Sequence, residues 1–245
     1  MGSQSMPMMD GTGAIRDIYY ENQNGYAVAE GDIILGKLSK NKGVFASLIP
    51  ELGGTRWVDG KIPYTLATDL PQETAQLVRQ AMSLWQEKSG VQFIPLTPEN
   101  QTLYTDYLYI QPVEGTTCSS SVGRKGGEQV IILASRCNAM SIVHELGHTL
   151  GLWHEQSRID RDQYVQIVWE NISEEHQSNF NQHLTNSVDF GAYNYDSIMH
   201  YSALAFSKNG EKTIIPFQEG VIIGQRDHIS DGDIAAVKMM YHKNK

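Results

Sequence analysis

Cysteine is scarce. The chain carries two, Cys118 and Cys137, in 245 residues. That is too few for a disulfide scaffold, and the absence of a CxxC pair argues against a zinc knuckle; two buried thiols, one disulfide or a pair of metal ligands all stay open. Positive charge is also short. Nineteen Lys and Arg against 28 Asp and Glu leave a formal net charge of −9. This argues against nucleic acid or an anionic membrane surface as the main partner, because both require a basic patch. No apolar run approaches the ~20 residues of a membrane span. A signal peptide is missing too: the opening MGSQSM, residues 1–6, reads as an expression scar with its own start codon, so that a native leader has been removed. With 40% hydrophobic and 19% charged residues, what remains is an ordinary soluble globular composition that can bury a sizeable core.

No internal repeat or low-complexity tract is present. Residues 7–47 mix Gly, Asn, Asp and Lys with short apolar runs such as Asp32-Ile33-Ile34-Leu35. Too small to form much core alone, this stretch reads as an extended segment lying on something larger. The compact domain begins near Trp57. Lys61–Ala67 is strand-like, and Pro71 then opens a helix with Ala75, Val78, Met82 and Trp85 on one face, ended by Gly90. Val91–Leu96, Tyr107–Gln111 and Gln129–Ala134 read as strands. Asn138 can cap a second helix with Ile142, Leu146 and Leu150 on its apolar face. The sequence is then polar and irregular to about residue 190. Ser230-Asp231-Gly232-Asp233 has the form of a capping box that opens a last helix, with Ile234, Val237 and Tyr241 inward. This order of elements predicts one α+β domain of roughly 190 residues preceded by a short extension.

The segment that carries chemistry is HELGHTLGLWH, His144 to His154. His144 and His148 are four apart, so on a helix their imidazoles lie one turn apart on one face and can share a cation. A catalytic zinc keeps three protein ligands and one open position. His154 is out of phase for that face. Gly151 resolves this, because it can take a positive φ, end the helix and turn His154 back under the metal. Glu145, beside His144, can reach a metal-bound water and take its proton. A bare HxxxH is more often a solvated helix face; Glu145, Gly151 and His154 together make that reading untenable.

HExxHxxGxxH is the metzincin pattern. The longer run His144-Glu145 … His148 … Gly151-Leu152-Trp153-His154-Glu155-Gln156-Ser157-Arg158-Ile159-Asp160-Arg161-Asp162 resembles the astacin family of zinc endopeptidases. Leu152 stands where that family usually has Phe. Ser197-Ile198-Met199-His200-Tyr201 is similar to the family's Met-turn, SxMHY. The resemblance implies that Met199 floors the metal site. It also implies that Tyr201 ligates zinc in the resting enzyme and swings away to stabilise the oxyanion, for which a phenol is suited. Arg56-Trp57, Ile62-Pro63-Tyr64, the Cys118–Cys137 region and Ile223-Gly224-Gln225-Arg226 match as well, so the likeness covers nearly all of 57–241. By resemblance, Cys118 and Cys137 are bridged, which adds about 3 kcal/mol in the loop-entropy model and implies an oxidising compartment. The cysteines for a second bridge, common in the family, are absent, so its two lobes must hold by packing alone.

The front extension then acquires a role. Astacin-like zymogens carry a prosegment with an FxGD motif whose aspartate binds zinc. Ala29-Glu30-Gly31-Asp32 matches it in part, with Ala29 where Phe is common. A carboxylate is a sound zinc ligand, and one seated there displaces the nucleophilic water. Gly31 would let the backbone approach closely. The expected organisation is residues 1–6 as scar, 7–47 as inhibitory prosegment with Asp32 on the metal, and 48–245 as catalytic domain, activated by a cut near Ala46–Leu48. In the family the freed N-terminus links to the glutamate after the third histidine, here Glu155. Arg226 matches a basic residue that in relatives attracts acidic side chains just after the scissile bond, although it could equally be a structural arginine. His176, His183, His200, His228 and His242 lack ligand spacing and read as surface or packing residues.

The resemblance thus implies a two-lobed catalytic domain: an N-terminal lobe with a twisted five-stranded sheet and two helices, one of them the zinc helix, and a mostly irregular C-terminal lobe with the Met-turn and a last helix. It further implies one zinc ion, a secreted or extracellular location (a periplasm included), a monomer, protein or peptide substrates and an activating protease. The competing class is a non-catalytic zinc-stabilised binding module; a third is a metal-dependent hydrolase acting on something other than peptide.

Overall fold

In chain order the strands are β1 (Gln4–Met9), β2 (Ile15–Gln23), β3 (Tyr26–Ala29), β4 (Ile33–Lys37), β5 (Lys61–Leu66), β6 (Gln92–Pro95), β7 (Tyr107–Val113), β8 (Ser119–Ser120), β9 (Glu128–Ala134), β10 (Val165–Ile167) and β11 (Ile214–Pro216). The helices are α1 (Gln72–Ser89), α2 (Ala139–Thr149) and α3 (Asp231–His242). The computed structural model describes residues 4–9, 15–38, 55–183 and 187–242. The expected cut at Ala46–Leu48 lies outside the described residues. The chain divides into two compact units, one of Asp32–Ile34, Gly53–Leu152 and Ile234–Lys245, the other of Met1–Gly31, Leu35–Leu52 and Trp153–Asp233.

The first unit holds five neighbouring strands, in the order β8-β9-β7-β5-β6, of a sheet that counts nine strands rather than the expected five. Strands β9, β7, β5 and β6 run parallel, and β8 is antiparallel to β9. Parallel strands need both faces covered. Accordingly Leu108, Ile110, Ile131, Ile132 and Leu133 are each 2% exposed or less. Ile33 of β4 adds a single parallel pairing to Ser120 of β8. Pro71 precedes the first helical residue, and Gly90 ends α1 with its N–H on the Gln86 carbonyl. The expected face of α1 is buried: Ala75, Val78, Met82 and Trp85. Trp85 also donates its indole N–H to the Val143 carbonyl of α2 at 2.9 Å, which fixes one helix against the other.

Helix α2 begins where Asn138 Oδ1 accepts the Ser141 N–H at 2.9 Å. From Ile142 to Thr149 every residue is buried. Such a helix cannot give its last carbonyls to water, so protein donors must satisfy them. Two aromatic groups do so: Trp57 Nε1 donates to the Thr149 carbonyl at 2.9 Å and Tyr241 Oη to the Leu150 carbonyl at 3.0 Å. Cys118 and Cys137 form a disulfide between the approaches to β8 and to α2, which closes the alternatives left open in the sequence.

In the second unit the front segment is more regular than a plain extended stretch. β1 pairs antiparallel with β2, and β2 with β3. The rest is mostly 3₁₀ turns around a core of Val165, Ile172, Phe180, Tyr193, Tyr201 and Ile214, with β10 paired to β11. Irregular backbone has no ladder to satisfy its carbonyls. Two buried arginines take that part: Arg161 donates to the carbonyls of Gln156 and Phe180, and Arg158 to those of Phe190 and Gly191. The Ser230/Asp233 capping box forms reciprocally, with Asp233 N–H on Ser230 Oγ at 3.1 Å and Ser230 N–H on Asp233 Oδ2 at 3.3 Å.

Candidate metal centre

Helical spacing brings the His144 and His148 rings to a centroid distance of 4.8 Å, edge to face. The helix ends as the glycine demands. Gly151 has φ +107°, and the Leu152 N–H returns to the Gly147 carbonyl at 3.0 Å. That turn aims the Leu152 carbonyl at His148 Nδ1, 2.8 Å away. With Nδ1 donating there, His148 presents its Nε2 lone pair as the ligand. His154 is oriented in the same manner, its Nδ1 donating to Glu30 Oε2 at 2.9 Å. Asp32 faces the two helical imidazoles, with Oδ2 3.3 Å from His144 Nε2 and Oδ1 3.6 Å from His148 Nε2.

Asp32, His144, His148 and His154 offer ligand atoms that all lie within 4.8 Å of one another. The three histidines are 3%, 0% and 1% exposed. Buried imidazoles, two of them with Nδ1 committed to an acceptor, together with one carboxylate, are the donor set that zinc takes. The residues present fit the metal. Glu145 is also buried, at 3% exposure, on the same helix.

The Met-turn is held from below. Asp233 accepts from Ser197 Oγ at 2.6 Å and from the Ile198 N–H at 2.9 Å. Met199 is 1% exposed, and its carbonyl accepts the Glu155 N–H. His200 is enclosed between Tyr193 Oη (2.7 Å) and the Tyr201 carbonyl (2.8 Å), and burial lowers its pKa to about 4, so it stays neutral. The Tyr201 ring lies 4.6 Å from that of His154, and its hydroxyl donates to the Glu30 carbonyl. Glu155 Oε1 accepts the Asn194 N–H at 2.7 Å; burial pushes its carboxyl up to about 8, against the pull of that N–H and of Arg158. Arg226 Nη1 donates to the carbonyls of His200 and Gln225.

Three residues that sequence reasoning left aside meet here: Glu30, His183 and Ser157. Glu30 is 7% exposed, and its carboxylate takes His154 Nδ1, His183 Nε2 at 2.6 Å and Ser157 Oγ at 3.2 Å. Burial opposes its charge, but His183 and His154 prevail and hold its pKa at about 2. His183, read from sequence as a surface or packing residue, is thus an anion's partner. The backbone at Glu30 is left-handed, φ +49°, which costs a residue with a side chain about 1–2 kcal/mol. Gly31 follows at φ +80°, a conformation that strains any side chain, and a Cβ there would come within 2.7 Å of Phe206 Cζ, so that ring would have to shift. A second carboxylate two residues before Asp32 was the available signal.

The sequence and structure have relatives. Zinc metalloproteinase nas-13 of Caenorhabditis elegans is 38% identical over 190 residues, 76% of this chain and 41% of that protein. Zinc metalloproteinase nas-4 of the same animal is 36% identical over 222 residues, 87% of this chain and 69% of that one. The chain thus spans less than half of the first relative and just over two thirds of the second. High choriolytic enzyme 1, a hatching enzyme zinc-protease of the medaka Oryzias latipes, superposes with a TM-score of 0.68 at 35% identity, covering 77% of this chain and 94% of that one. The family model for Astacin, a peptidase family, matches residues 51–242, across the metal helix, the Met-turn and α3. With that match laid over the donor set on α2, the chain belongs to the astacin family.

Proposed function

We propose that this chain is a secreted zinc-dependent endopeptidase held latent by its own front segment. The observation that carries the catalytic reading is Glu145, a carboxylate 3% exposed on the metal helix. A structural zinc site needs no such group. When bound, zinc supplies a Lewis acid that polarises a carbonyl and acidifies water. Glu145 takes the proton of the attacking water and passes it to the leaving amine. Tyr201, freed from the Glu30 carbonyl, donates its phenolic hydrogen bond to the developing oxyanion. His144, His148 and His154 would hold the metal, the buried Met199 would floor the site, and Gly151 sets the bend.

Latency rests on Asp32. Its carboxylate faces His144 and His148 in the uncut chain, where it fills the position an attacking water needs. Removal of residues 7–47 by an activating protease opens the site to protein or peptide substrates, and the new N-terminus meets Glu155. Arg226 is the candidate for contact with the residue after the scissile bond.

One observation favours a second reading. Asp32 makes four protein ligands, and four is the number that closes a structural zinc site. The two readings separate in one experiment. The chain is cut near Leu48, freed of its front segment and tested on an unfolded protein substrate, beside Glu145→Ala with its zinc content measured. The endopeptidase reading expects wild-type turnover and a variant that keeps stoichiometric zinc and loses turnover. A cut, zinc-loaded wild type that hydrolyses nothing leaves the binding module.

A further inference from the structure

We propose that the donors now holding Glu30 form, in the activated enzyme, a subsite for an acidic side chain of the peptide substrate. The inference rests on the reading above, in which residues 7–47 leave. His183 Nε2, His154 Nδ1 and Ser157 Oγ converge on one carboxylate at 2.6, 2.9 and 3.2 Å. Those contacts belong to a peptide segment that already lies against the Tyr201 hydroxyl, two residues from the carboxylate on the metal histidines. When it departs it takes its acid with it and leaves three inward donors.

The cluster outlasts the departure because the contacts that frame it come from outside the front segment. The His183 N–H donates to the Ser157 carbonyl at 2.8 Å. Gln182 Nε2 donates to the Ile159 carbonyl at 2.8 Å, and Ser187 Oγ to the His183 carbonyl at 3.1 Å. The Trp153 ring backs the His183 imidazole at a centroid distance of 4.1 Å. Ser157 is 1% exposed and the His183 side chain 11%. Those exposures are with Glu30 in place; once it leaves, a substrate carboxylate regains charge-assisted hydrogen bonds that are stronger than those of a neutral isostere. A carboxylate on a short, flexible stem meets the geometry that Glu30 displays. Arg226 is not part of this cluster and would act at a different position of the substrate.

The test uses two peptides of residues 26–35, both with Asp32→Asn to remove the metal contact, one with Glu30 and one with Glu30→Gln. Each is titrated by calorimetry into the cut, zinc-loaded Glu145→Ala protein after the front segment has been removed. The glutamate peptide is expected to bind at least about ten-fold more tightly than its amide, the scale of one charge-assisted hydrogen bond. In a Ser157→Ala, His183→Gln background the ratio should fall to about two-fold or less; Ser157→Ala alone, the milder change, should lower it part of the way. Equal binding of the two peptides, no binding of either, or a preference that survives both substitutions would overturn the subsite. The zymogen reading is checked separately: cut protein with Glu145 intact must gain hydrolysis, and if it gains none while the binding preference stands, that reading fails and the carboxylate site remains.

Discussion

Nδ1 of His154 lies 2.9 Å from a carboxylate oxygen of Glu30, 124 residues earlier in the chain. A histidine that binds metal through Nε2 gains basicity and a fixed ring plane when its other nitrogen donates to a carboxylate. Under the latent-enzyme proposal, the front segment would therefore support the metal centre that it also obstructs. It contributes Asp32 to the front of the site and Glu30 to the back of one ligand.

Loss of Glu30 should accordingly loosen the metal in the intact chain. Glu30→Ala is expected to weaken zinc retention by about ten- to a hundred-fold, the usual cost of removing a ligand's outer partner. Competition with a chelating dye measures it. An unchanged zinc affinity would show that His154 needs no partner there.

How much of this could be read in the sequence followed from how local the signal was. The three metal ligands, Glu145 and the Gly151 bend sit within one short run, His144 to His154, so helical spacing and one glycine were enough. Helix α1 was legible from Ala75, Val78, Met82 and Trp85 because burial of one face imposes a period. The Ser230/Asp233 box was legible because capping is a local event. His183 was not, because its partner is 153 residues away and an imidazole carries no periodicity. The pairing of β1 with β2 and of β2 with β3 was missed for a related reason. β1 carries a proline, Pro7, in its middle, β3 is only four residues long, and β2 carries Glu21-Asn22, residue types depleted in strands, near its end, so none shows a sustained alternation. Arg158 and Arg161 were visible only as letters of a family pattern; that they satisfy carbonyls of irregular backbone is a consequence of the fold.

Gly151→Ala should test whether the bend sets the third ligand. At φ +107° a Cβ is strained whatever the space, and Met240 Sδ would lie 3.4 Å from it. The expected cost is about 1–2 kcal/mol, read as a lower midpoint in urea, together with weaker zinc binding as His154 shifts. A stable variant with intact affinity would mean that the turn tolerates a side chain.

Trp85 anchors α1 to the metal helix through packing and through its hydrogen bond to Val143. Fully buried, it leaves a cavity and takes one donor from the Val143 carbonyl when removed. Trp85→Ala should cost about 3–5 kcal/mol, whereas Trp85→Phe should cost less because most of the ring volume stays. Urea unfolding of both variants, followed by circular dichroism, gives the comparison.

Acid stability should depend on Asp106. Its carboxylate accepts the Gly127 N–H at 2.8 Å and pairs with Arg124, and these, the N–H first, hold its pKa below the usual value despite some burial. A depressed folded-state pKa means that the group's contribution is complete above the unfolded value, near 3.8, and is lost as pH falls through the folded one. The melting temperature of the wild type should therefore drop more steeply below about pH 4 than that of Asp106→Asn, which has already lost the ionised contact. Parallel curves for the two proteins would remove Asp106 from the account.

Tyr201 plays two parts that one substitution separates. In the uncut chain its hydroxyl is engaged by the Glu30 carbonyl; in the activated enzyme the proposal gives that hydroxyl to the oxyanion. Tyr201→Phe keeps the ring that packs on His154 and Phe180 and removes only the donor. If the donor acts in the transition state, kcat of the cut enzyme should fall by about a hundred- to a thousand-fold with little change in KM, as for other oxyanion donors. In the uncut chain the same substitution removes one tether of the front segment, so cleavage near Leu48 should be faster or unchanged. A fall in zinc content would assign Tyr201 to the metal instead, and an unaltered kcat would mean that another group holds the oxyanion.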